Sequence, residues 1–196
     1  FTELDFMNYW VARKENFAAL DKFVPESDEL EYSILDKADT SWYDENKAEF
    51  VLKDMQDLYG FYILSQTKNF NGKTVKLGND ITVNSGNSVD WANTPPEYIW
   101  KSIGSSDCNF AGTFDGQMHT ISGIYLNTSV AGCGLFGEIT ATGVVKNLYI
   151  KDSLFKSTAT DLGSVAGINR GTISTVYSNA DIISSQLRTG GIVGSI

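Results

Sequence analysis

Three segments of this chain repeat one short pattern of apolar residues and glycine, and that repetition limits the folds open to the chain. Residues 133–139 read CGLFGEI, residues 163–169 read GSVAGIN and residues 190–196 read GGIVGSI. Each segment places two apolar or small residues directly before a glycine. A unit that recurs in this way is typical of repeat proteins, in which successive units pack on one another.

A second motif follows the first two copies and predicts short β-strands. Residues 143–150 read GVVKNLYI, residues 171–178 read GTISTVYS, and HTISGIYL from residue 119 resembles an earlier copy. This alignment gives spacings of 24 residues from Ile121 to Val145 and 28 residues from Val145 to Ile173. Because β-branched and aromatic side chains are separated here by glycine and asparagine, each repeat is expected to form one turn of a parallel β-solenoid.

In such a stack, Gly137, Gly167 and Gly194 are expected to adopt a positive φ or to let neighbouring turns approach closely.

Two other folds compete with this interpretation. A leucine-rich repeat needs a regular leucine ladder and a helical return in each unit, and the sequence has neither. An immunoglobulin-like sandwich would have alternating strands without a fixed period. The pattern therefore favours a mainly β solenoid.

The segment before the repeats predicts two further strands and a helix. GKTVKLGNDITV from Gly72 contains two short apolar strands, and residues 84–97, which include two prolines, form an excursion from the turns. Residues 53–67 fit an amphipathic helix. Its predicted stripe consists of Met55, Leu58, Tyr59 and Tyr62, with Ile63 beside it. Because the first turn of a solenoid exposes an unpaired edge and an open core, this helix is expected to cap it.

The chain is expected to have two parts. Residues 1–38 fit a helical or loop extension, either a linker or the end of a preceding module, and residues 39–196 contain the cap and about five turns. The glycine content also differs between the beginning and the end of the chain, since fourteen of the eighteen glycines lie after residue 100. No capping pattern follows the last repeat, so further repeats or domains are expected beyond residue 196.

The charge distribution argues against several classes of partner. The net charge is −9, and residues 1–60 carry fifteen acidic and six basic side chains, whereas residues 61–196 carry nine of each. Phosphate binding needs a concentrated basic surface, so neither nucleic acid nor an anionic membrane surface is an expected partner. No apolar run reaches the about 18 residues of a membrane helix, so no membrane insertion is expected.

Several segments together resemble the GLUG-motif repeats of bacterial cell-surface proteins. They are FAGTFDGQMHTISGIYLN, CGLFGEI, GVVKNLYI, GSVAGINRGTISTVYS and GGIVG. Residues 134–137 reproduce the Gly-Leu-any-Gly core of that family, residues 164–167 depart from it as SVAG, and the likeness covers residues 39–196. The resemblance implies a right-handed parallel β-helix in an extracellular or surface-attached bacterial protein, acting as an adhesin or as a non-catalytic part of a surface enzyme such as a peptidase. It supplies no catalytic residues.

Catalysis is the alternative to binding, because right-handed β-helices include polysaccharide lyases and hydrolases that need clustered acidic and basic groups. The candidate groups are Asp115, Glu138, Lys146, Lys151, Asp152, Asp161, Arg170, Asp181 and Arg188. Asp115, in an FDG turn, suits an Asx-type hydrogen bond. The single histidine, His119, is expected to bond to a neighbouring turn, and the sequence contains no metal or cofactor motif.

Aromatic residues near the excursion are the candidate binding residues. Trp91, Tyr98 and Trp100 either form a platform for sugar rings or a protein partner, or seal the cap against the first turn. Cys108 and Cys133 lie 25 residues apart, close to one repeat, so they form a disulfide between turns or stay reduced in the core. The sequence thus predicts a non-catalytic, adhesin-like stalk or binding module whose partner is a host protein or a carbohydrate.

Overall fold

The structure is a computed structural model that describes residues 37–104 and 107–196, and this part of the chain is mainly β. Its strands are β1 Glu49–Leu52, β2 Thr74–Leu77, β3 Ile81–Thr82, β4 Thr113–Asp115, β5 Thr120–Ser122, β6 Tyr125–Thr128, β7 Phe136–Ile139, β8 Val144–Lys151, β9 Leu154–Ser157, β10 Ala166–Asn169, β11 Thr172–Ser178, β12 Asp181–Ser184 and β13 Val193–Ser195. Helix α1, Met55–Ser65, follows β1, and a short 3-10 helix spans Ser88–Ala92. The extension predicted for residues 1–38 lies outside the described residues, except for its last two positions.

All strand pairings in the described residues are parallel, and the largest sheet follows the order β1-β2-β4-β8-β5-β3, with β11 on the other side of β8. The two halves of β8 have different partners, because residues 144–146 pair with β4 and residues 149–151 pair with β5. Asn147, between the halves, has a φ of 55°, and Thr175 has a φ of 53° at the equivalent point of β11. Each long strand therefore bends at a left-handed residue.

Two three-stranded parallel sheets, β6-β9-β12 and β7-β10-β13, also pair strands from successive repeats. Phe136 pairs with Ala166, and Ala166 pairs with Val193. This is the alignment that the glycine motif predicts. Val145 pairs with Ile173, as the second motif predicts. Equivalent residues of successive repeats thus lie side by side.

The predicted alignment of residues 119–126 with residues 143–150 is wrong. Ile121 pairs with Ile150, and Val145 pairs with Phe114 instead. The reason is a bend between β4 and β5, where Gln117 and Met118 adopt a positive φ. The four residues that link these two strands lie opposite only two residues of β8. A pattern of apolar residues does not reveal such a bend, so the alignment slipped by several positions.

The inward side chains of successive strands form columns in one apolar core. Val75, Phe114 and Val145 are consecutive partners in register, and each is completely buried. The apolar residues predicted for the strands after Gly72 are buried too, as Leu77 and Ile81 show. Burying a large aliphatic or aromatic side chain contributes about 1.5–3 kcal/mol, so these columns are a main source of stability.

Helix α1 agrees with the helix predicted for residues 53–67. Two aspartate side chains cap its N-terminus. Asp57 N donates to Asp54 Oδ1 at 3.0 Å, and Lys53 N donates to Asp57 Oδ2 at 2.8 Å. These two bonds satisfy N–H groups that have no partner in the helix or in β1. In the part of the chain that the structure describes, no helix is long and apolar enough to cross a membrane.

The buried face of α1 includes a residue that the predicted stripe omits. Phe61 is completely buried, and its ring stacks on Phe114 and packs edge to face against Phe110. Gly60 permits this position, because a Cβ there would lie 1.8 Å from Asp39 O. Glycine is therefore required at residue 60 by the close packing of the segment before β1.

Close approach to a neighbouring repeat, and not a positive φ, explains the glycines at residues 167 and 194. A Cβ at Gly167 would lie 2.1 Å from Cys133 N, and one at Gly194 would lie 2.5 Å from Asp161 C. Gly137 is less confined, with its nearest neighbour at 3.3 Å. Any side chain at Gly167 or Gly194 would push the neighbouring turn away.

Left-handed residues are stacked at a different corner of the turns. Gly132, Asp161 and Arg188 each precede a bridged position, so they lie at equivalent positions of three successive repeats. Their φ angles are 69°, 64° and 59°. This stacking places the side chains of Asp161 and Arg188 next to each other.

Candidate functional site

A groove of about 550 Å³ runs along one side of the paired strands. Its walls come from the end of α1, from residues 99–104, from the loop between β6 and β7, and from the outer faces of β7 and β10. The side chains that shape it include Tyr62, Ile99, Asn127, Val130 and Ile168. Small-molecule sites in proteins have volumes of about 300–1,000 Å³, so this groove is a candidate binding site.

The wall formed by residues 99–104 is fixed by hydrogen bonds to the following turn. Trp100 N donates to Tyr125 O at 2.6 Å. Ser102 Oγ donates to Gly134 O at 2.9 Å and accepts a bond from Gly134 N at 3.1 Å. These bonds fix the backbone of the wall relative to residues 125 and 134.

Trp100, one of the three predicted binding residues, lies at the bottom of this groove with its ring covered. It is 1% exposed, and its Nε1 donates to Leu135 O at 3.3 Å. Its ring packs against Tyr59 and Tyr62 of α1, with centroids 5.3 Å and 6.4 Å away. The ring of Trp100 therefore forms no exposed platform in this groove.

The other two predicted binding residues border a second cavity of about 420 Å³ within the excursion. Trp91 is 5% exposed and packs edge to face on Tyr125. Tyr98 is half-buried, and Lys37 Nζ lies 4.5 Å from the centroid of its ring. The structure thus brings Trp91 and Tyr98 to one cavity and Trp100 to another, and their role in ligand binding stays a prediction.

Six of the nine charged residues considered for a lyase or hydrolase form ion pairs with one another between successive repeats. Lys146 Nζ lies 3.3 Å from Asp115 Oδ2, and Arg170 Nε lies 2.7 Å from Glu138 Oε1. Asp161 is paired in the same way with Arg188, and Asp181 Oδ2 accepts a bond from Ser88 Oγ at 3.1 Å. Pairing of this kind holds successive turns in register, and it engages the carboxylates that acid–base chemistry would need.

Asp115 and His119 have the structural roles that their positions predict. Gln117 N donates to Asp115 Oδ1 at 3.0 Å, which forms the expected Asx turn, and Asn147 Nδ2 donates to the same oxygen at 2.9 Å. Burial acts to raise the pKa of Asp115, but these hydrogen bonds outweigh it and the pKa is lowered. His119 Nδ1 lies 3.1 Å from Oδ1 of Asp80, beside the strand that pairs with β5.

Cys108 and Cys133 are free cysteines in the structure, so the disulfide offered as one alternative is not formed there. Cys133 is buried and bridges to Leu162 in the next turn, as a reduced core residue would. Burial raises the pKa of both thiols, which keeps them largely protonated at neutral pH. Within residues 37–104 and 107–196, no group of three or more His, Cys, Asp or Glu side chains is placed to hold a metal ion.

Part of the chain is similar to Halomucin from Haloquadratum walsbyi. The two sequences are 34% identical over 87 residues, which are 44% of this chain. The chain spans 1% of the length of Halomucin. No family model matches the chain, and no solved structure matches it.

Proposed function

We propose that this chain is a right-handed parallel β-solenoid that serves as a non-catalytic stalk or binding module, outside the cell or on a bacterial cell surface. The observation that carries the proposal is the register between repeats, since β10 pairs with both β7 and β13, and β9 with both β6 and β12. Strand pairing that continues from one repeat to the next makes a stiff rod. Such a rod holds loops and grooves at fixed positions along its length.

In this proposal, α1 caps the first turn. Phe61 packs against core rings of the turns, including Phe110, Phe114 and Phe136, and the first turn of a solenoid needs such a cover. Residues 39–196 are accordingly proposed to be one GLUG-type unit, with the excursion as an insertion. The partial likeness to Halomucin is compatible with a cell-surface role.

The groove beside residues 99–104 is the proposed binding site, and its ligand is proposed to be a carbohydrate or an exposed segment of a host protein. Apolar side chains such as Ile99, Val130 and Ile168 share its lining with the polar side chains of Asn127 and Thr128. Apolar walls with a few polar groups are the usual composition of a ligand-binding site.

The proposal is tested by incubating the 196-residue chain with purified polysaccharides and extracellular matrix proteins, measuring both binding and product release. The groove variant is Asn127→Ala/Val130→Ser, and the control is Val89→Ser, at an exposed position outside the groove. We expect binding without turnover, weakened at least about tenfold in the groove variant and unchanged in the control. Release of a hydrolysed or eliminated product would assign the chain to the carbohydrate-active enzymes instead.

A further inference from the structure

Strand β6 has a strand neighbour on one side only among the described residues. It pairs with β9 and is the last strand of its three-stranded sheet. Thr158 N donates to Thr128 O at 3.1 Å, so the backbone carbonyl of Thr128 faces β9. Because consecutive residues of a strand direct their N–H and C=O groups to opposite sides, the backbone groups of Asn127 face away from β9.

The segment on the other side of β6 is too short to cover this edge. Trp100 N donates to Tyr125 O at 2.6 Å, and Ile103 N donates to Leu135 O at 2.9 Å. Between these two contacts the chain advances by three residues in one segment and by ten residues in its neighbour. Beyond Tyr125, the edge of β6 is therefore left without a neighbouring strand.

This uncovered edge opens into the groove, whose lining includes Asn127, Thr128 and Val130. Asn127 is exposed, and within residues 37–104 and 107–196 its backbone N–H and C=O form no hydrogen bond. Residues 125–135 carry no charged side chain. Charged side chains are a usual protection of strand edges against pairing, so this edge inside the stack is left open to another strand.

We propose that an extended segment of a partner protein binds in the groove as an added strand beside β6, with backbone hydrogen bonds to the N–H and C=O of Asn127. The inference rests on the proposed function, which places the binding site in this groove, and it selects a peptide over a carbohydrate. An added strand lies about 4.8 Å from β6, in the space that residues 100–103 leave uncovered. Alternate side chains of the bound segment contact the apolar lining, such as Val130 and Ile168.

The first test is selection of phage-displayed random dodecapeptides on the immobilised 196-residue chain, followed by fluorescence anisotropy with the synthetic peptides. Each selected peptide is then methylated at one backbone nitrogen at a time. Because an added strand directs the N–H groups of alternate residues to β6, methylation is expected to weaken binding by about tenfold or more at every second position and to have little effect between them. Tolerance of methylation at every position would overturn the inference.

The matching change in the chain is Asn127→Pro, which removes the N–H that the bound segment needs. Proline is tolerated on an edge strand where the N–H faces away from the paired neighbour, so the ladder between β6 and β9 is expected to persist. The control is Asn127→Ala, which shortens the same side chain and keeps the N–H. Asn127→Pro is expected to bind the selected peptides at least about tenfold more weakly than Asn127→Ala.

Thermal unfolding by circular dichroism shows whether both variants fold, and the methylation series decides the question if Asn127→Pro does not. Equal affinities of two folded variants would overturn the inference. A chain that binds polysaccharides but selects no peptide would also overturn it, while the binding role of the groove would stand. A chain that binds neither would overturn the proposed function together with the inference.

Discussion

Arg188 binds the carboxylate of Asp161, the residue at the equivalent position of the preceding repeat, with Nε 2.6 Å from Oδ1 and Nη2 2.8 Å from Oδ2. Thr160 Oγ1 donates to Asp161 Oδ2 at 2.9 Å as well. The side chain of Asp161 is 7% exposed. The bonds from Arg188 outweigh the effect of this burial and lower the pKa of Asp161 to about 2.

This pair makes stability depend on pH in a defined direction. The pKa of an unfolded aspartate is about 3.9, so the ionised Asp161 stabilises the fold fully above that value, and the contribution is lost as the pH falls through about 2. Because Arg188 is largely exposed and screened, Asp161→Asn is expected to lower the free energy of unfolding at pH 7 by about 1–2 kcal/mol. Urea unfolding at pH 7 and at pH 2 measures the difference, which should nearly vanish at pH 2.

The matched control for this prediction is Asp152→Asn. Asp152 is exposed and also adopts a left-handed φ, of 48°, and asparagine tolerates that conformation as aspartate does. The control should change stability at neutral pH by a few tenths of a kcal/mol at most. Equal losses in the two variants would show that the ion pair of Asp161 is not what stabilises the corner.

Gly167 should tolerate no side chain, whereas Gly191 should tolerate alanine. A Cβ at Gly167 would lie 2.1 Å from Cys133 N and 2.2 Å from Gly132 C, while a Cβ at Gly191 would have no neighbour within 4 Å. Gly167→Ala is therefore expected to cost about 1–3 kcal/mol or more, and Gly191→Ala to cost less than about 0.5 kcal/mol. Denaturant titration of the two variants compares them directly, and similar midpoints would contradict the close contact between turns.

The sequence predicted the parts of the fold in which one repeat copies another. The glycine motif aligned Phe136 with Ala166 because each residue directly precedes its glycine, and the pairing of β7 with β10 confirms this alignment. It failed where lengths differ, since the bend between β4 and β5 shifts Ile121 to Ile150. Such a bend depends on backbone φ angles, and the pattern of apolar residues carries no information on those angles.

The groove could not be predicted, because its residues come from segments that are far apart in the sequence. Tyr62, Ile99 and Val130 meet there only after the turns have stacked. The predicted aromatic residues had a strong tendency to be buried, and Trp91 and Trp100 followed that tendency. Glu138 and Arg170 were recognised as candidates by charge alone, and their mutual distance of 2.7 Å follows from the register between turns.

Removing the hydroxyl of Tyr59 should not destabilise the chain. Tyr59 Oη is buried without a hydrogen-bond partner among the described residues, and burial raises its pKa. Since an unpaired buried hydroxyl costs free energy, Tyr59→Phe is expected to leave the free energy of unfolding unchanged or to raise it by about 1 kcal/mol. Tyr125→Phe is the comparison, because it removes a hydrogen bond to Asn127 and should cost about 1 kcal/mol. A clear loss in Tyr59→Phe would reveal a partner for this hydroxyl.

Two thiols should be detected in protein that is denatured without a reducing agent, because Cys108 and Cys133 are both free. In the native state, Cys108 is half-buried and Cys133 is 3% exposed, so a thiol reagent is expected to modify Cys108 first. The absorbance during reaction with an aromatic disulfide reagent follows the modification of Cys108 and then that of Cys133. Detection of no thiols after denaturation would establish the disulfide that the sequence left open.

The stacking of turns is tested most directly by a distance between Val51 and Ser174. Five residues lie in one register through the largest sheet, namely Val51, Lys76, Asp115, Lys146 and Ser174. Four strand spacings of about 4.8 Å separate the first from the last, so their Cα atoms should lie roughly 19 Å apart, although 123 residues separate them in the sequence.

Pulsed electron paramagnetic resonance measures this distance between spin labels on Val51→Cys and Ser174→Cys, with Cys108→Ala and dilution into unlabelled protein. Stacked turns predict one narrow distribution centred at roughly 20 Å, and a second pair at Val51→Cys and Lys146→Cys should be shorter by about 5 Å. A broad distribution, or a centre beyond about 30 Å for the first pair, would contradict a chain whose repeats are paired strand on strand.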